Sequence, residues 1–265
     1  MLARNTKKIL FPYFLTCILI LICKFFEGDV FWGLSIIYGN TKKYVWYDHI
    51  LRVGPLWFLT AFFVAMIYTN LIYRITSKKL RWGILLLLFT ISIIFTKTYG
   101  FLLPFGITTA CGGVIFIFAG MEIKHNSIFI QDKRFLYPGI LIWILCVFFG
   151  WLAMYAHEYK LFVFQIIGGV YGTIVCYKFA LSFSRQSKLW KCFCYIGSNT
   201  LAILCIHSID RMLNITSYFT RFLMGGYTMD IKHWQLEVFL KLLYVAIVFI
   251  IFKNILPFKK IFQIV

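Results

Sequence analysis

The chain has 265 residues, 62% of them hydrophobic and 14% charged, with a formal net charge of +18. A soluble domain holds roughly 45–50% apolar and about 25% charged residues, so this composition excludes an ordinary water-soluble fold and points to lipid as the solvent. The 27 Lys and Arg are spread between apolar runs rather than gathered in one patch, which argues against nucleic acid and for loop charges that orient the chain in a bilayer.

A helix that crosses the hydrocarbon needs about 20 mostly apolar residues. Eight segments are predicted to span, at 9–26, 55–73, 82–95, 99–121, 137–155, 162–183, 192–209 and 236–257. The first follows three cations, Arg4, Lys7 and Lys8. It reads as a retained span, because its exit, "CKFFEGD", has no small-x-small cleavage site. The third is short, and only Lys97 and Thr98 separate it from the fourth. It crosses only if Lys97 snorkels to the interface; as a re-entrant segment it would reverse every later orientation. With the N-terminus inside, sixteen Lys and Arg fall in inner segments and eight in outer ones, the signature of cytoplasmic loops. The expected fold is thus all-α, a polytopic transmembrane bundle of about eight spans with both termini cytoplasmic. No linker, repeat or charged tail divides it, so residues 1–265 are expected to form a single membrane domain.

The eight cysteines lie mostly inside apolar runs, with spacings that match no zinc or disulfide framework. They read as small buried hydrophobes. His49, His125, His157 and His233 fall in loops without metal-ligand spacing, so no metal is expected. Lys24, Lys178 and Lys241 sit near span ends and are expected to snorkel, and Glu122 lies at an inner edge in contact with solvent. The glycine pairs Gly112-Gly113 and Gly168-Gly169 would allow close helix approach or a cavity.

Three stretches carry a more specific pattern. "GPLWFLTAFFVAMIY" opens a span with Gly54-Pro55 and then Trp57; "LLPFGITTACGGVIFIFAGMEIKHN" is a polar-broken span with a basic exit; "CYIGSNTLAILCIHSI" sets Gly-Ser-Asn ahead of a helix ending in His207. In this order and with these gaps they resemble the acyltransferase-3 family of bacterial membrane O-acyltransferases. Thr200 stands where the family usually has Ser, and Leu204-Cys205 where it has Tyr-Leu. The opening "LARNTKKILFPYFL" resembles the family's basic loop and the start of its third span. On that alignment the first two family spans have no counterpart here. The first of those spans carries the histidine regarded as the catalytic base, and no position matches it.

The resemblance implies transfer of an acyl group, usually acetyl, from cytoplasmic acetyl-CoA to a hydroxyl of an envelope or exported polysaccharide, in a bacterial inner membrane. Arg4 and Lys7 match the family's R-x-x-R position and would grip the CoA phosphates. The alternative is that they only enforce orientation. His207, the one histidine inside an apolar run, is a candidate proton-handling residue, because an ionisable group at membrane depth is costly. Its alternative is a hydrogen-bonded structural role. Trp57 would stack on a sugar or belong to an interfacial aromatic belt. Asn199 would contact substrate or begin a helix. Two other classes stay open: a transporter or flippase of a lipid-linked sugar, although paired broken helices in repeats are not evident, and a non-catalytic remnant.

Overall fold

The computed structural model describes residues 6–26, 32–40, 52–125, 132–150, 152–183, 185–223, 234–262 and 264. A π-helical turn, Thr6–Leu10, leads into α1 (Phe11–Phe26), followed by α2 (Trp32–Tyr38). Single 3-10 turns, Gly54–Leu56 and Pro104–Gly106, open α3 (Trp57–Tyr73) and α5 (Ile107–His125), and α4 (Lys78–Tyr99) lies between them. α6 (Lys133–Phe149) and α7 (Val163–Leu181) flank an antiparallel hairpin of β1 (Leu152–Ala153) and β2 (Glu158–Tyr159), with Leu152 opposite Tyr159. The chain ends with α8 (Lys188–Ser198), α9 (Thr200–Leu213), α10 (Ile215–Leu223), α11 (Trp234–Asn254) and α12 (Leu256–Ile261).

Six of the described segments are long and apolar enough to cross a bilayer alone, and seven if α8 and α9, bent by 67°, form one broken span. α6, at 17 residues, stands at the lower end of the length a span needs. The protein is an all-α polytopic bundle, and a helix occupies each segment predicted to span. The fourth predicted segment, 99–121, shifts to Ile107–His125, and three further boundaries change. α4 is a full 22 residues. It starts on its own basic turn, where Ser77 caps by accepting from the Leu80 N–H, and stops at Gly100 in the left-handed region (φ 71°). The hydrophobic run understated it because Lys78, Lys79 and Arg81 belong to the helix. α6 stops at Phe149, and the chain folds into the hairpin where the span was expected to continue to Tyr155.

The third change is the bend at Asn199. Its backbone N–H turns to the Ile196 carbonyl at 3.1 Å, while its side-chain amide takes the Tyr195 carbonyl at 2.8 Å. The side chain thus replaces the i−4 backbone donor that a straight helix would supply. Ser198 Oγ also donates to Tyr195 O, and Thr200 Oγ1 donates to Gly197 O. The polar trio satisfies the carbonyls that the bend frees.

Two buried cores meet along α3. The first joins Tyr13, Cys17 and Ile20 of α1 to Leu56, Leu59, Cys205, Ile206 and Phe252. The second joins Val64, Ala65 and Ile72 of α3 to Leu85 and Phe89 of α4, Val114, Ile115 and Phe118 of α5, and Ile166 of α7. α6 and α7 pack through small residues: a Cβ at Gly139 would fall 2.2 Å from the Tyr171 ring, and one at Gly168 2.8 Å from Cys146 Sγ. Close approach over small side chains is how helices associate where lipid offers no hydrophobic drive.

At the end of α3 away from its basic exit, irregular backbone is tied into a polar knot. Asn40, 1% exposed, donates through Nδ2 to Tyr38 O and Leu103 O, both at 2.9 Å. Thr60 Oγ1 lies 3.1 Å from Gly39 O and 2.8 Å from Trp57 O, and Tyr13 Oη donates to Ile36 O at 2.6 Å. Gly106 (φ +70°) sets its Cα face against the α3 backbone: a Cβ there would lie 2.7 Å from Ala61 N. Gly106→Ala therefore combines left-handed strain with a backbone clash. The expected cost is roughly 2–4 kcal/mol, read as a lower unfolding temperature of the detergent-purified protein. An unchanged melting curve would show that the close contact is not maintained.

Candidate functional site

Among the described residues, those singled out from sequence fall on different elements. Arg4 lies outside the described residues. Lys7 belongs to the π-helical turn before α1, and its side chain is outside the described set. Trp57 is the first residue of α3, half-buried against the first core and edge-on to Phe58 at 6.1 Å. Asn199 is 1% exposed, with its amide committed to Tyr195 O and Ser198 Oγ inside the bend. In this arrangement it holds the angle between α8 and α9. His207 sits two turns further along α9, half-buried. Asp210, Arg211 and Lys241 all lie within electrostatic range of it.

Asp210 is itself 1% exposed. One carboxylate oxygen accepts from the Thr216 N–H and the other from Thr216 Oγ1, both at 2.8 Å. The carboxylate thus caps the start of α10 across the left-handed turn at Asn214 (φ 53°). On α11, Lys241 pairs with Glu237 at 2.5 Å, one helical turn away. His207 thus lies near charges of both signs, and of these Asp210 is buried.

A second polar cluster was missed in the sequence. His157, read there as an ordinary loop residue, is 2% exposed. It follows the short turn at the tip of the hairpin, in the left-handed region (φ 57°), and enters the bundle beside α4. Its Nε2 lies 2.7 Å from Ser92 Oγ, and Ser92 Oγ lies 2.7 Å from Phe89 O. The hydroxyl has one proton and a carbonyl can only accept, so Ser92 donates to Phe89 O and His157 donates its Nε2–H to Ser92. The Phe89 and Tyr159 rings meet the imidazole edge-on at 6.0 and 5.3 Å. Tyr159 Oη is buried without a hydrogen-bond partner, over Gly112, where a Cβ would fall 2.2 Å from it. Burial raises the Tyr159 phenol well above its ordinary range, so it stays neutral. Only the brevity of the polar gap between α6 and α7 hinted that this histidine would be drawn inward.

Below this cluster lies an apolar groove of ≈ 540 Å³. Its walls are Trp82 and Leu86 of α4, Ile115 and Ala119 of α5, and Ile166, Val170 and Ile174 of α7. Lys78 and Glu122 stand at its basic end, paired at 2.5 Å. Among the described residues, no group of three His, Cys, Asp or Glu side chains could hold a metal ion.

The fold is that of a multi-pass membrane protein, a helical bundle with polar side chains buried inside it. The family model described as an acyltransferase domain matches residues 1–254, and the chain belongs to that membrane acyltransferase family. No curated protein and no solved structure matches it.

The Ser92–His157 bond anchors the hairpin. Ser92→Ala removes the acceptor of a buried imidazole N–H, at a cost of about 1–3 kcal/mol. The expected result is a lower unfolding temperature together with faster thiol labelling of a cysteine placed at Ala153, which is 3% exposed in the intact hairpin. Labelling at the parent rate would mean that the bond does not hold the hairpin in place.

Proposed function

We propose that the protein is a membrane O-acyltransferase that moves an acyl group, acetyl by the family pattern, from CoA on the cytoplasmic side to a hydroxyl of an envelope polysaccharide in a bacterial inner membrane. The observation that carries the reading is the family match along residues 1–254 of a membrane-spanning bundle. The reaction needs a base for the acceptor hydroxyl, cations for the CoA phosphates and donors for the thioester oxyanion.

Burial distinguishes the two histidines at membrane depth. His157 is closed in by the hairpin and committed to Ser92. His207 is half-buried, and it lies toward the end of the bundle that the charge distribution places outside. His207 is therefore the histidine that an acceptor hydroxyl can reach, and it takes the role of base. The enclosed Asp210 carboxylate, held by Thr216, supplies a fixed negative charge near His207, set against the positive charges of Arg211 and Lys241. Trp57, at the same end, offers an aromatic face for a sugar. Arg4 and Lys7, before α1, supply the cations for CoA on the opposite side.

Membranes containing the protein should transfer labelled acetyl from acetyl-CoA to polysaccharide. His207→Gln should lower that transfer by about 100-fold or more, the usual range for loss of a general base. The parallel His157→Gln variant should act through stability instead, leaving activity per folded molecule at the parent level. Full transfer by His207→Gln would remove His207 from the chemistry.

Arg4→Lys tests the donor site. Orientation needs only positive charge, whereas bidentate phosphate binding needs guanidinium. The change should leave reporter-fusion topology intact and weaken CoA binding about tenfold. Equal CoA affinity would leave Arg4 with orientation alone.

A further inference from the structure

The groove between α4, α5 and α7 has a shape and charge pattern that the acyltransferase reading does not use. Its walls are almost wholly apolar. Its two charged groups, Lys78 and Glu122, sit together at one end, 64% and 27% exposed, so both can be reached from outside the bundle. Along α4 the groove runs from Lys78 to Leu86, eight residues or ~12 Å at the helical rise. A single leaflet is about 15 Å of hydrocarbon, half the core thickness. The groove therefore begins at the basic interface and stops about one leaflet deep. At its deep end the wall residues Ile115 and Ile166 pack into one buried cluster with Phe89 and Tyr159.

We infer that this groove is a binding site for a zwitterionic phospholipid with a primary ammonium head, drawn from the leaflet at the basic end. The alkyl chain lies along the α4, α5 and α7 walls, where it replaces lipid contact with protein contact at no cost in polar burial. Lys78 and Glu122 are paired at 2.5 Å, but the ammonium keeps two further N–H donors and the carboxylate a second oxygen; the phosphate oxygens accept from those N–H groups, and the head's ammonium donates to that oxygen. One cation beside one anion complements one phosphate beside one ammonium. A purely anionic head would meet Lys78 but be repelled by Glu122. A choline head brings positive charge without an N–H to donate. A long-chain acyl-CoA shares the alkyl chain but brings several phosphates and no ammonium, so Glu122 disfavours it too. The inference does not depend on which reaction the protein performs.

The test uses the full chain, purified in detergent and titrated separately with dioleoyl phosphatidylethanolamine, phosphatidylcholine and phosphatidylglycerol, with bound lipid counted by native mass spectrometry. Phosphatidylethanolamine should bind about tenfold more tightly than either of the others, the usual range for one charge-assisted hydrogen bond. Glu122→Gln, at a half-exposed position away from the buried cores, should bring phosphatidylethanolamine down to the phosphatidylcholine level. Ala119→Trp should fill the groove and reduce binding of all three lipids. Palmitoyl-CoA should not displace bound phosphatidylethanolamine. Equal binding of the three lipids, preference for phosphatidylglycerol, an unchanged Glu122→Gln variant, or displacement by palmitoyl-CoA would each overturn the assignment. If Ala119→Trp does not fold, the head-group comparison and Glu122→Gln still decide it.

Discussion

The fold depends on one constraint: backbone N–H and C=O groups at membrane depth must find partners within the protein, because lipid offers none. Helices meet it internally, but this chain also takes irregular backbone into the bundle. Gly39, Asn40, Leu102 and Gly106 are buried, and the Asn40 amide satisfies carbonyls of both segments. It bridges the Tyr38 and Leu103 carbonyls and so joins the turn after α2 to the turn before α5. The orientation is imposed by its partners: two carbonyl oxygens facing one amide group require the NH₂ side. Thr60 and Gly106 then bring both turns onto the first residues of α3. The same logic recurs at the other irregular sites. Asn199, Ser198 and Thr200 take up the carbonyls freed by the bend, Asp210 caps α10, and Ser92 receives the imidazole of the hairpin.

This explains why α3 is central. It runs between the two cores, and the polar knot fixes its starting end relative to α1, α2 and α5. The helices beyond the knot are placed by shape. Gly112 lets the Tyr159 ring lie directly on α5, so the hairpin can be enclosed. Gly139 and Gly168 bring α6 and α7 to side-chain contact. Glycine weakens a helix in water, but in lipid the gain from close packing offsets that loss.

Hydropathy made the spans legible, because hydrocarbon length acts on residue type alone. The family was legible too, from Gly54-Pro55, "LPFG" and "GSNT" in sequence order. Boundaries were less so. The full length of α4 was hidden by its basic first turn, since a helix can carry three cations when their stems snorkel. The bend at Asn199 left the apolar run unbroken, because the groups that allow it are small polar side chains which also suit a helix start. His157 was the least legible. Nothing in its neighbours states that a polar gap between two spans will fold inward, since that depends on a partner 65 residues away on α4.

The two histidines show why an intramembrane ionisable group does not by itself identify a site. Each lies in a bundle where charge is costly, and each has polar company. His157 is enclosed on every side, with its Nε2–H directed to a serine that already donates to its own helix. In that arrangement the imidazole and hydroxyl protons each have one destination, and the ring is shut off from the surface. His207 is open on one side, and its enclosed neighbour, Asp210, is fixed by two bonds from a single threonine. A buried carboxylate held by two bonds from one residue has a fixed position. The same bonds also begin α10, whose Thr216 and Thr220 face inward while Tyr218, Phe219 and Phe222 face outward. The element that fixes the carboxylate thus presents its aromatic side to the surroundings, and the fold ties the electrostatics at His207 to the packing of the outer rim.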